Sequence, residues 1–170
     1  MTVNPVLEAY AEIQVSSMSV CPGETVVYTV SNQENHGGSQ AKYEWLINGN
    51  SFSPPQTGSS LSYKPSANEE ITLKLDSGLP CVDDFVTPVG ITVAIKAKPA
   101  APASFTKSTQ SICPNSTFTF EVAAVDTATG YSWTLPSGWS GTSSSRSINI
   151  ASGGPGTGTI SVKALNSCGE

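Results

Sequence analysis

His36, the only histidine of the 170-residue chain, sits in the loop SNQENHGGSQ. A Ser-His-Asp hydrolase holds such a group beside a nucleophile and a carboxylate. No G-x-S-x-G elbow occurs anywhere, so the histidine reads as a solvated loop residue and no catalytic residue is assigned. The acidic pairs Glu69–Glu70 and Asp83–Asp84 have the chemistry to bind Ca²⁺, which takes six to eight converging oxygens. They fall before and after the same predicted strand, at opposite ends of a sandwich, and no D-x-D-x-D-G loop completes a site. No metal and no cofactor is therefore expected. Trp139, in LPSGWSG, follows a turn, where its ring either stacks on a sugar or another chain or folds back over the core. Asn115-Ser116-Thr117 is a glycosylation sequon, relevant only in a eukaryotic secretory host. The four cysteines lie at spacings of 60 (81 − 21) and 55 (168 − 113), which fit neither a zinc site nor a C-x-x-C redox pair.

Composition narrows the class. Charged residues are 12% of the chain, about half of the roughly 25% usual in soluble domains. A net charge of −5 with eight scattered Lys and Arg argues against nucleic acid, whose phosphates need clustered cations. No apolar run approaches the roughly 20 residues of a membrane helix. The start, MTVNPVLEAYAEI, has neither a basic region nor an apolar core and is not read as a signal peptide. Four cysteines in low-charge, strand-like sequence point to an extracellular setting. We read the chain as a piece of a longer secreted protein.

The elements that must position these residues are strands. Apolar residues alternate with period 2 at Ala9–Val15, Val26–Val30, Tyr43–Ile47, Leu61–Tyr63, Ile71–Leu75 and Val89–Ile95. Turn clusters separate them: NHGGSQ, NGN, SPPQTGSS and DSGLP. KAKPAAPASF, Lys96 to Phe105, reads as a semi-rigid linker. Beyond it the pattern returns. CPGETVVYTV at Cys21 reappears as CPNSTFTFEV at Cys113, Tyr-x-Trp recurs at Tyr43 and Tyr131, and ITLKL (71–75) corresponds to ISVKA (160–164). Two all-β units are predicted, 1–98 and 99–170, with Trp45 and Trp133 buried in their cores.

These phrases, CPG.T…Y.W..NG…C and CP.ST…Y.WTLPSGWSG…I.V.A.NSCG, resemble the tandem Ig-like and PKD-like repeats of large secreted or cell-surface proteins of Bacteroidota. The resemblance implies two antiparallel β-sandwiches, Ig-like and PKD-like, in an array of the adhesin type or appended to secreted enzymes, exported by the type IX pathway. The residues shared with the family are core and turn positions, so it carries over no catalytic residue. Such repeats normally add a last strand after NSCG, and TVNPVLEA resembles the tail of a preceding repeat. The second unit is thus expected to lack its last strand, and its open edge is expected either to fray or to pair with another chain, with TVNPVL of a neighbouring molecule as the donor.

In an Ig-like strand order the cysteine preceding the second strand and the one following the sixth fall at opposite ends. A six-residue strand spans about 20 Å, whereas bridged Cα atoms lie within about 7 Å. Two connectivities stay open: Cys21–Cys81 with Cys113–Cys168, or Cys21–Cys168 between units with Cys81 and Cys113 left for neighbours. The function read from all this is an extracellular structural or adhesive module of a rod-like stalk, without catalysis. The alternative is a carbohydrate-binding module that uses Trp139. Expected partners are neighbouring repeats, surface glycans, or other chains by strand addition.

Overall fold

The computed structural model describes residues 6–34, 40–109 and 111–170. All of its named elements are strands, and the chain divides into two compact units, Met1–Lys96 and Ala97–Glu170. His36 and most of TVNPVL lie outside the described residues.

The first unit holds β1 (Leu7–Glu8), β2 (Tyr10–Val15), β3 (Ser19–Val20), β4 (Val26–Glu34), β5 (Lys42–Ile47), β6 (Asn50–Thr57), β7 (Ser60–Tyr63), β8 (Glu70–Asp76), β9 (Val82–Asp83), β10 (Phe85–Val86), β11 (Ile91–Thr92) and β12 (Ala94–Ile95). One sheet runs β2-β4-β7. The other runs β10-β8-β5-β6, with β11 also on β8, while β1 pairs β9 and β12 pairs β3 in parallel. Asn48 and Gly49, at φ 48° and 76°, join β5 to β6. Positive φ at both central residues is what a two-residue hairpin loop demands, and Asn-Gly meets it at least cost.

The two sheets line one core. Val26 and Tyr28 from β4 meet Trp45 from β5 and Ile71, Leu73 and Leu75 from β8, all 0% exposed. The Tyr28 and Trp45 rings lie 6.3 Å apart, and the Trp45 indole Nε1 donates to the Gly58 carbonyl at 3.0 Å. Its one polar atom is thus satisfied inside an apolar setting. The Tyr28 hydroxyl is buried without a partner.

Two expectations needed correction here. The cluster SPPQTGSS, read as a turn, lies largely within β6. Prolines are tolerated because β6 is an edge strand, and its register on β5 jumps from Leu46↔Ser51 to Trp45↔Gln56, leaving Pro54 and Pro55 in the irregularity. Val89, read as inward-facing, is 78% exposed. The strand is broken between β10 and β11, where Thr87 exchanges hydrogen bonds with Leu73 through both its amide and its hydroxyl. The chain then leaves β8 and pairs with β3.

The second unit holds β13 (Phe105–Lys107), β14 (Thr117–Val122), β15 (Gly130–Thr134), β16 (Ser147–Ala151) and β17 (Ser161–Leu165). Its sheets are β13-β14-β16 and β15-β17. Phe120, Ile148 and Ile150 form the buried centre, with Phe105, Trp133, Leu135, Trp139 and Ile160 half-buried against it. Trp133, expected in the core, therefore only borders it. Its ring lies 6.1 Å from Phe105 and its Nε1 donates to Ser145 O at 2.9 Å. Its sheet has two strands among the described residues, β15 and β17. No strand lies between Ile95 and Phe105, and the Asn166 side chain donates to Ala97 O at 2.7 Å and Thr127 O at 3.3 Å, tying the start of the unit to its last loop.

Candidate binding site

Three connections of the second unit come together: the β13–β14 loop, the turn Pro136–Trp139 and the glycine-rich loop between β16 and β17. The turn is closed by the Trp139 amide donating to Pro136 O at 3.2 Å. Ser140 then exchanges backbone hydrogen bonds with Ala151 at 2.9 and 2.8 Å, which sets Trp139 beside the start of the glycine-rich loop. That loop approaches the turn too closely for a side chain. A Cβ on Gly153 would stand 2.5 Å from Gly138 O, and one on Gly158 would strike the Pro136 ring.

Ser152 anchors the other side. Its buried hydroxyl accepts from the Ser116 amide at 3.1 Å and lies 3.0 Å from Cys113 O, to which it donates. The Ser152 amide donates to Ser116 O at 2.9 Å, and Asn115 N donates to Gly153 O at 3.2 Å. These bonds hold the β13–β14 loop against the glycine-rich loop. Between them lies a cavity of about 720 Å³, within the roughly 300–1,000 Å³ of ligand sites. Phe105, Ile112, Trp139 and Ile160 supply apolar wall, Thr109 and Thr157 supply hydroxyls, and among the described residues no charged side chain lines it. Such a surface offers stacking and neutral hydrogen bonding, with the free Cys113 thiol at its wall.

Trp139 packs on the second core and also lines the cavity. The glycine-rich run GGPGTG and Ser152 escaped the sequence reading, although a run of glycines beside an aromatic turn is a signal of close backbone approach.

Of the other candidates, Cys113 lines this cavity and the rest are not among its lining residues. Cys21 and Cys168 are disulfide-bonded, while Cys81 and Cys113 carry free, exposed thiols. Bridges Cys21–Cys81 and Cys113–Cys168 are therefore not formed. Glu69 accepts from the Tyr63 hydroxyl at 2.9 Å and from Ser66, and burial followed by the Glu69 hydrogen bond pushes the Tyr63 phenol up to about 12. Tyr63 thus stays a donor throughout the neutral range. Glu70 accepts from Gly90 N at 3.2 Å, and Asp84 lies 3.6 Å from the Lys74 ammonium. Glu69, Glu70 and Asp84 are thus engaged by neighbours within the first unit. Among the described residues no group of three His, Cys, Asp or Glu side chains is placed to hold a metal ion, and no helix is long and apolar enough to cross a membrane.

No curated protein matches the chain. Residues 98–170 match the family model of the PKD-like domain, so the second unit is similar to that family of β-sandwiches.

Proposed function

We propose that this chain is a structural and adhesive module of a large secreted or cell-surface protein, one segment of a rod-like stalk of Ig-like and PKD-like repeats. The proposal includes the Bacteroidota setting and type IX export that the sequence resemblance implies. The observation that carries the reading is the PKD-like match over residues 98–170. Its support is the all-strand build and the absence, among the described residues, of any cluster of metal-binding type.

The module's stiffness comes, in this proposal, from a Cys21–Cys168 bond. Both cysteines are disulfide-bonded and the remaining two of the chain's four are free, which favours this pairing. Partners are neighbouring repeats and, through weak contacts, surface glycans.

One observation favours carbohydrate binding as a second reading: Trp139 lines an uncharged cavity with hydroxyls at its wall. A glycan array on the wild type and on Trp139→Ala separates the two. The structural reading expects no glycan whose binding is lost in the variant while the fold survives. One such glycan would make sugar recognition the principal function.

A further inference from the structure

The glycine-rich loop beside Trp139 carries two glycines that the fold itself does not require. Among the described residues, every glycine except Gly154 and Gly156 has either a positive φ or an atom within 4 Å of the Cβ it would carry. Gly153 and Gly158 are of the crowded kind, set against Gly138 and Pro136. They fix the two ends of the loop to the turn that carries Trp139. Between them, Gly154 and Gly156 have open space at the Cβ position and φ outside the left-handed region. Alanine fits at both, and it would restrict the unfolded chain and so favour the folded one. Stability therefore does not account for glycine here. What glycine leaves in such a place is bare backbone, open to close approach by a ligand.

That backbone is unengaged. The loop lies outside every strand, and the N–H and C=O groups of Gly154, Gly156, Thr157 and Gly158 bond to no other described residue. The neighbouring Gly153 carbonyl, by contrast, accepts from Asn115 N at 3.2 Å. All four of the unengaged residues line the cavity of about 720 Å³ together with Trp139. The cavity thus sets peptide donors and acceptors and the Thr157 hydroxyl beside a half-buried aromatic ring.

The ligand chemistry follows from these groups. Among the described residues no charged side chain lines the cavity, so nothing there compensates an ionised ligand. The net charge of −5 disfavours an anion further. Peptide groups and hydroxyls suit a ligand that donates and accepts at many points, and an indole face suits an apolar ring surface. We infer that residues 154–157 and Trp139 form a subsite for a neutral saccharide unit. The C–H face of the sugar lies on the indole, and its hydroxyls bond to the backbone of the loop. An extended peptide fits less well, because strand addition needs a regular row of alternating groups along a sheet edge, which this loop lacks. The inference rests on the carbohydrate reading of the cavity and adds to it the segment that binds and the class of sugar.

The test is an amide NMR titration of the whole chain. The neutral probes are maltotetraose, cellotetraose, mannotetraose and xylotetraose, and tetragalacturonate is the acidic counterpart. Saturable shifts at the amides of Gly154, Gly156 and Thr157 are expected with at least one neutral probe and not with the acidic one. The double variant Gly154→Ala, Gly156→Ala should melt no lower than the wild type. It should bind that probe about tenfold more weakly or worse, equivalent to about 1.4 kcal/mol, because its methyl groups shield the peptide units. A neutral probe that binds, is lost in Trp139→Ala and binds the glycine double variant as tightly as the wild type would leave the carbohydrate reading standing and sink this inference. Shifts confined to other segments, or loop shifts with tetragalacturonate, would overturn it too. So would loop shifts produced by a neutral alanine–serine hexapeptide and by none of the sugars. No saturable shift with any probe would overturn the inference and the carbohydrate reading together.

Discussion

Replacing Trp45 with alanine is expected to cost about 3–5 kcal/mol, a large part of the roughly 5–15 kcal/mol that holds a typical domain folded. Trp45 is fully buried and its ring meets Tyr28 at 6.3 Å. It sits at the turning point of the β5–β6 register, between Leu46↔Ser51 and Trp45↔Gln56. Removing the indole opens a cavity between the two sheets, since the strands around it are fixed by their own ladders and collapse only in part. It also leaves Gly58 O without the indole donor that now reaches it at 3.0 Å. Thermal denaturation of the variant should show the first unit melting many degrees lower, with Trp45 fluorescence absent from the transition. Near-wild-type melting would mean that the first core is centred elsewhere.

Ile150→Ala is expected to be the most damaging single truncation in the second unit, at about 2–5 kcal/mol. Ile150 is 0% exposed on β16 and pairs with Phe118 on β14. The buried hydrophobic core of this unit is small, comprising Phe120, Val122, Ile148, Ile150 and Ala164, so losing one of its larger members removes a large fraction of it. Trp133→Ala should cost less than Trp45→Ala, despite the identical Tyr-x-Trp setting, because the Trp133 ring is only half-buried. Denaturant titrations of the three variants give the comparison. A Trp133 variant as unstable as the Trp45 variant would show that the ring is covered in solution by something beyond the strands described.

Much of the framework was legible because burial follows alternation. Val26 and Tyr28, Trp45, and Ile71, Leu73 and Leu75 face inward as their period-2 spacing requires. The pattern failed where one interaction displaced another. Thr87 substitutes a hydroxyl for a ladder partner of Leu73 and interrupts the strand, which turns Val89 outward. Pro54 and Pro55 mark an edge strand as readily as a turn, and composition cannot distinguish the two. Trp133 and Trp45 occupy like positions in like phrases, but exposure depends on how many strands flank each, a property of topology and not of the phrase. The cavity beside Trp139 was half legible. The aromatic turn was visible, whereas Ser152 and the close approach of Gly153 to Gly138 arise from segments that meet only after folding.

A module stiffened by the proposed Cys21–Cys168 bond has a mechanical signature. Pulling single molecules from their two termini tests it most directly. With the cysteines oxidised, the residues between the two sulfurs should not extend under load. Reduction should then release 147 residues (168 − 21), a gain of about 500 Å at roughly 3.4 Å per residue. The same extension before and after reduction would contradict the claim.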